Sequence, residues 1–279
     1  LPVTEDLFNG QYMNLEYPVG MGILNLTPDS FSDGGKFVNP LHAAEKTLDM
    51  VEDGAQIIDL GGESTRPGSN PVSEQEEIDR IGPVLEPLPE DEFVISIDTT
   101  NRNVAQFALQ NGAHMINDVS GGNPELIEIA KANGAGFVLM HSKGSPKNMQ
   151  DQPSYSNAVQ EIRHFFLSKK AILQEMKLPK VWIDPGIGFG KALPHNLELM
   201  RCIDQFADEA WGILLGSSRK SWIDHLCQAP DPLDRLGGSL ASAIHAVKRG
   251  VEIVRVHDVR ETVQALQVAK ELASLEKTR

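Results

Sequence analysis

Apolar runs of four or five residues recur along the chain, and each stops abruptly on a polar side chain before a loop and a segment of helical period. The runs predict strands near residues 23, 58, 96, 116, 138, 182, 214 and 254. Between them, Leu41, Ala44, Leu48, Val51 and Ala55 predict one helical face, Ile78, Ile81 and Leu85 a second, and Val104, Phe107 and Ala108 a third. Val159, Ile162 and Phe166 continue the series, as do Leu240, Ile244 and Val247, and then Val263, Leu266, Ala269 and Leu272. Asn39-Pro40 and Asn123-Pro124 read as N-caps followed by a first-turn proline, and Ser73-x-x-Glu76 as a capping box. EDGAQIIDL, QNGAHMIND, ANGAGFVLM and KRGVEIVRV each place a helix-ending glycine before a strand, which marks a repeated strand-helix unit. Eight such units predict an α/β chain folded as a closed (β/α)8 barrel, one domain over residues 1–279 with residues 1–18 as an N-terminal extension. An open doubly wound sheet is the alternative that strand counting leaves.

Composition narrows the partners. Lys plus Arg number 25 against 39 Asp plus Glu, so a net charge of −14 argues against nucleic acid and anionic membrane surfaces. An anionic small substrate therefore needs a local cluster of cations. Cys202 and Cys227 form no CxxC pair, so a reducing, cytoplasmic location is expected. The first residues show no basic, then apolar, leader pattern, and no stretch approaches the roughly 20 apolar residues that span a bilayer.

In a barrel the strand C-termini open into one mouth, so Asn25, Asp59, Asp98, Asn117, Asp184, Lys220, Arg255 and His257 are expected to converge there. Any one of these alone reads as readily as a turn former or cap; the convergence is what points to a site. Asp98, Asn117 and Asp184 are rich in acceptors and suit a planar ligand edge that presents adjacent N–H groups, such as an aminopyrimidinone. Arg219, Lys220, Arg255 and His257 lie at the seventh and eighth strand ends, where barrels often hold phosphate. Pairing of Arg219 or Arg255 with a neighbouring acid is the competing reading, and Lys220 has a second possible use as a Schiff-base amine. Asn25 offers an amide oxygen to a hard cation shared with phosphate oxygens. Loops 27–36 and 61–71, rich in Gly, Ser, Pro and Asp, fit mobile lids. His42, His114, His164, His195, His225 and His245 fall on helices or connections and read as structural or exposed.

The ordered segments GILNLTPDSFSDGG, IIDLGGESTRPGS, ISIDT, INDVSGG, VLMH, DPGIGFGK, SSRKS and VRVHDV resemble the dihydropteroate synthase family from residue 20 to the last helix. The resemblance implies a (β/α)8 barrel that condenses 6-hydroxymethyl-7,8-dihydropterin diphosphate with p-aminobenzoate, needs Mg²⁺, and forms a homodimer through outer helices. It also implies roles residue by residue. Asp98, Asn117 and Asp184 would read the pterin edge, with Met140 and Lys220 against the ring. Arg255, His257 and the metal ligand Asn25 would hold the diphosphate. Thr65, Arg66, Pro67, Phe189 and Ser218 would form the p-aminobenzoate side, with Phe31 and Asp33 in a first loop that closes over the pterin. Asp33, Arg66, Lys220, Arg255 and His257 are the expected catalytic set. Asn101 and Ser142-Lys143 depart from the family pattern without touching these positions. Pterin-dependent methyltransferases share the barrel and its acids but need neither Arg255 with His257 nor the STRPG loop; a silent pterin-binding paralogue is the non-enzyme reading.

Overall fold

The computed structural model describes residues 3–8, 10–27, 39–64, 71–89, 92–144, 153–208 and 210–276. Eight parallel strands close into a barrel: β3 (Val19–Asn25), β4 (Ile57–Gly61), β5 (Val94–Asp98), β6 (Met115–Asp118), β7 (Gly136–Met140), β8 (Val181–Asp184), β9 (Gly212–Leu215) and β10 (Ile253–Val256). β10 pairs with both β9 and β3, which closes the ring and excludes the open doubly wound sheet. The helices are α1 (Pro40–Glu52), α2 (Glu74–Leu85), α3 (Arg102–Gln110), α4 (Pro124–Asn133), α5 (Ala158–Met176), α6 (Leu193–Arg201), α7 (Ser221–Cys227), α8 (Leu236–Val247) and α9 (Val259–Glu276).

Side chains alternate across each strand, and the two faces meet different partners. Ile58, Leu60, Ile95, Ile97, Ile116, Phe137, Leu139, Ile183, Ile213, Leu215, Val254 and Val256 belong to the core shared with the helices. The opposite residues at the strand starts, Val19, Met21, Ile57, Val94, Met115, Val138, Trp182, Leu214 and Ile253, fill a second apolar cluster. Further along that same alternation stand Asp59, Ser96, Asp98, Asn117, Met140, Asp184 and Arg255. The barrel thus has an apolar floor and a polar mouth.

Residues before the barrel complete that floor. β1 (Val3–Phe8) and β2 (Gln11–Glu16) form an antiparallel hairpin that strand counting did not predict. Gly10 sits at φ +80, the left-handed conformation that favours glycine, and Asn9-Gly10 between two runs is the sequence signal for such a turn. Phe8, Met13 and Leu15 join the floor cluster, and Phe8 stacks on Trp182 at 6.0 Å between ring centroids. Gly136 leaves room for this ring, because a Cβ there would lie 2.7 Å from it. Gln56 anchors β2 through its Oε1, which accepts from Glu16 N at 2.8 Å, and its Nε2, which donates to Glu16 O at 3.2 Å.

Three helical faces differ from expectation: on α8 the small residues Ser239, Ser242, Ala243 and Ala246 are buried and Leu240, Ile244 and Val247 only half-buried, and α1 and α9 differ as well. α1 buries Ala43, Ala44, Thr47 and Met50, while Leu41 and Leu48 point outward at 70% and 40% exposure. Both stripes obey the 3.6-residue period, and the small residues win because they let the helix lie close to the strands. On α9, Val259, Thr262 and Leu266 are buried and Leu272 is exposed, so the apolar stripe does not continue inward to the last turn. The caps at Asn39, Asn123 and Ser73 form as expected, but Glu76 pairs with Arg80 at 2.5 Å rather than returning to the Ser73 backbone. His114, 1% exposed, is structural as expected: its Nδ1 accepts from Ile95 N at 3.0 Å.

The hairpin is expected to carry stability rather than activity. Phe8→Ala should lower the unfolding free energy by about 3–5 kcal/mol in urea titrations, the usual cost of a deleted core aromatic; a loss under about 1 kcal/mol would show that the hairpin does not plug the barrel in solution.

Candidate active site

The mouth is built around Arg255, aimed inward from β10. Its Nε donates to Asp59 Oδ2 at 2.6 Å and its Nη2 to Asp98 Oδ2 at 2.9 Å. Asp59, fully buried, also accepts from Ser96 Oγ at 2.6 Å and from Asn117 Nδ2 at 2.9 Å. Four strands therefore meet on one carboxylate. Pairing with acids was the competing reading for Arg255, and it holds in this structure, with two partners instead of one. Burial works to lower the Arg255 pKa, but Asp59 and Asp98 outweigh it and the group stays raised.

Asp98 has a second, unused oxygen. Its Oδ1 is buried and has no hydrogen-bond partner among the described residues. Burial pushes the carboxyl up to about 7, against the opposing charge of Arg255 and with help from Asp59. An orphaned polar atom of this kind costs free energy in an empty site and recovers it when a ligand supplies the partner. Asp184 stands across the mouth beside Met140, its register partner, and its Oδ1 accepts from Gly186 N at 2.8 Å. Burial raises its pKa, and Lys220 opposes the shift.

The cationic side is divided. Lys220 donates from Nζ to Ile187 O at 2.5 Å and lies 4.5 Å from the centre of the Phe189 ring; burial takes the amine down to about 8. Around Gly216, a Cβ would come within 3.5 Å of Asp184 Oδ2 and 3.8 Å of Lys220 Nζ, which puts these groups about one small side chain apart. His257 Nδ1 is 3.1 Å from Ser218 Oγ, and its backbone N donates to the same oxygen at 3.3 Å. Arg219, counted among the mouth cations from sequence, instead donates both Nε and Nη2 to Asp258. Its backbone sits at φ +58, which turns the chain between Ser218 and Lys220 so that the guanidinium points to a different partner from the Lys220 amine.

Asn25 ends β3 opposite Gly61, where a Cβ would lie 3.7 Å from its Oδ1 and 3.6 Å from Asp98 Cβ. Phe31, Asp33, Thr65, Arg66 and Pro67 lie outside the described residues, as do most of the two loops expected to act as lids. Among the described residues no group of three or more His, Cys, Asp or Glu side chains forms a metal cage. Asn25 is nevertheless a hard oxygen donor at a strand end on the Asp98 side of the mouth, which fits an ion that keeps most of its waters and shares substrate oxygens.

Three buried groups escaped the sequence reading. Glu77 on α2 is 3% exposed, has no hydrogen-bond partner for its Oε1 among the described residues, and is raised to about 7 by burial. Lys191 and His141 face each other behind the mouth at 3.1 Å. An acid on a helix full of acids, and a lysine in a glycine-rich loop, look like solvent-facing residues until packing is known.

A closed barrel with an acceptor-rich pocket facing a cationic rim defines a binder of flat, polar heterocycles that carry an anionic tail, and residues 21–257 match the family model described as pterin binding enzyme. Dihydropteroate synthase of Synechocystis is 42% identical over 277 residues, covering 98% of this chain and 94% of the relative. Among solved structures, the Yersinia pestis dihydropteroate synthase with a sulfonamide drug complex superposes at a TM-score of 0.87 with 40% identity, covering 96% of this chain and 98% of that one. The Burkholderia cenocepacia dihydropteroate synthase complexed with 7,8-dihydropteroate gives 0.87 with 34% identity and full coverage of both chains. The chain belongs to the dihydropteroate synthase family. It is a transferase.

Glu77 predicts a pH effect. Its folded pKa, about 7, lies above the ordinary 4.5, so the full stability is present below pH 4.5 and part is lost as pH rises through 7. Glu77→Gln should be more stable than the native chain by about 2 kcal/mol at pH 8, with the gap shrinking by pH 5 in paired urea titrations. An equal gap at both pH values would show that Glu77 is ionised throughout.

Proposed function

We propose that this chain joins 6-hydroxymethyl-7,8-dihydropterin diphosphate to p-aminobenzoate, releasing diphosphate and 7,8-dihydropteroate for folate biosynthesis. The observation that carries the reading is the orphaned Oδ1 of Asp98, a buried acceptor waiting for a donor, next to Asn117 and across from Asp184. A pterin edge presents adjacent N–H donors of the required kind. The solved Burkholderia relative holds 7,8-dihydropteroate, the product of this condensation.

In this mechanism the bond from the exocyclic carbon to the diphosphate oxygen breaks first. Arg255 binds Asp59 and Asp98 through Nε and Nη2, and no hydrogen bond to Nη1 occurs among the described residues, so that edge is available to the departing diphosphate. His257, steadied by Ser218, adds a second donor. The electron-rich pterin carries the resulting positive charge, which the carboxylates of Asp98 and Asp184 stabilise at short range. Lys220 packs on the ring side against Phe189 and holds the segment that follows Asp184. The amine of p-aminobenzoate then attacks the carbon and loses a proton; Phe189 and Ser218 bound that side, together with Thr65, Arg66 and Pro67. Asp33 and Phe31 act from the first loop. The roles of these five loop residues rest on the resemblance alone. Mg²⁺, held by Asn25 and diphosphate oxygens, would neutralise charge on the leaving group.

The same reading includes a homodimer and a cytoplasmic location. Val268 and Leu272, one turn apart on α9 and 55% and 61% exposed, supply an apolar strip for an outer-helix contact. Cys202 and Cys227 are unpaired, in keeping with a reducing compartment, and no helix among the described residues is long and apolar enough to cross a membrane.

Two measurements test the reaction. Diphosphate release with both substrates and Mg²⁺ should require p-aminobenzoate, and release that ignores it, or no release, overturns the assignment. Asp184→Asn should weaken binding of the pterin diphosphate by about 1–3 kcal/mol in calorimetry through loss of a charge-assisted acceptor; unchanged affinity removes Asp184 from the pterin edge.

A further inference from the structure

The segment after β8, Asp184 to Lys191, runs through the site with three glycines in the left-handed region: Gly186, Gly188 and Gly190 at φ +70, +83 and +63. It is pressed against the chain that leaves β7. A Cβ on Gly186 would lie 2.0 Å from His141 O, and one on Gly190 would lie 2.1 Å from Lys143 O. Glycine permits this contact but does not hold it.

The amine of Lys191 bridges the two segments. Only 2% of this residue is exposed. Its Nζ donates to Phe189 O at 2.8 Å and to His141 O at 3.2 Å, and it lies 3.1 Å from His141 Nδ1. Burial takes this amine down to about 7, with Asp184 opposing the shift; in its protonated form it has three N–H groups and meets three acceptors, two carbonyls and an imidazole nitrogen, none of them a carboxylate. For Nδ1 to accept, His141 must be neutral with its proton on Nε2. Burial, with Lys191 adding to it, drives His141 down to about 3, so the ring is neutral at every working pH. The ring is itself braced by Phe165, edge-on at 5.0 Å, and by Tyr155 at 6.3 Å. Asn196 secures the far side, accepting from Gly188 N at 2.8 Å and donating to Lys191 O at 3.2 Å.

We propose that Lys191 is a positioning residue for the amine-accepting half of the reaction: its buried amine ties Phe189 to the end of β7 through His141 and so sets where the Phe189 ring stands. The inference rests on the proposed function, in which Phe189 bounds the p-aminobenzoate side. Lys220 grips the same segment from within the site at Ile187 O, so the two lysines hold one loop from opposite faces. Removing Lys191 leaves the Asp184 to Gly186 hydrogen bond in place and releases the Phe189 end of the loop, so the two substrates should respond differently.

The experiment compares the full-length native chain with Lys191→Met and with His141→Phe, which keeps an aromatic ring beside Phe165 and removes one acceptor. Amide hydrogen exchange, which needs no substrate, should speed up at least 10-fold over residues 187–190 in Lys191→Met and less in His141→Phe, with Val181–Asp184 unchanged. Steady-state rates should show KM for p-aminobenzoate raised 10-fold or more and KM for the pterin diphosphate changed less than 2-fold. Unchanged exchange at 187–190 overturns the clamp whether or not the native chain is active. Faster exchange with equal rises in both KM values overturns its assignment to the p-aminobenzoate side. A native chain that releases no diphosphate sinks the functional reading instead, and exchange then decides the clamp. Should Lys191→Met fail to fold, His141→Phe carries both readouts, and its behaving as native in each refutes the proposal.

Discussion

Arg255 and the two carboxylates it joins are the constraint around which the mouth is arranged. A guanidinium and two carboxylates inside a barrel are tolerable only when paired, because an isolated buried charge costs several kcal/mol. Asp59 satisfies the need from β4, Asp98 from β5, and Asn117 and Ser96 complete the hydrogen bonding around Asp59. The cluster links β10 across the barrel to β4, β5 and β6, so the groups proposed to meet the substrate also join the staves. What it leaves open is one oxygen of Asp98 and one edge of Arg255, on which the proposed chemistry draws.

The other end of the barrel solves the opposite problem. Parallel strands starting with Val, Ile, Met, Leu and Trp leave an apolar floor that water would reach, and the N-terminal hairpin covers it with Phe8, Met13 and Leu15. Stability is thereby concentrated below and polarity above, within strands of only four to seven residues. The loop from Asp184 to Lys191 extends the division: its glycines let the backbone lie flat against the chain after β7, while Lys220 and Lys191 supply the hydrogen bonds that glycine cannot.

Burial is what gives these groups their titration behaviour. Asp98 and Glu77 rise to about 7 and Lys220 falls to about 8 because each charged form loses water, with neighbouring charges correcting the result and not setting it. Carboxylic acids and an amine that all titrate near neutrality let the mouth exchange charge with a ligand at modest cost.

The chain's local patterns were enough to place all eight barrel strands and the polar residues at their ends, because strand periodicity, helix-stopping glycines and asparagine caps act over a few residues. The family likeness was legible for the same reason: its motifs are the strand ends themselves. Which helical stripe of α1 turned inward was not, since both stripes satisfy the period and only contact with the strands selects the one built of small residues. Nor could spacing reveal that Arg219 would pair with Asp258 while Arg255 took two acids, or that Lys191 and His141, 50 positions apart, would share a proton-rich contact behind the site. Such pairings depend on closure of the barrel, which lets side chains from distant strand ends come within hydrogen-bond distance and makes each buried charge find its partner.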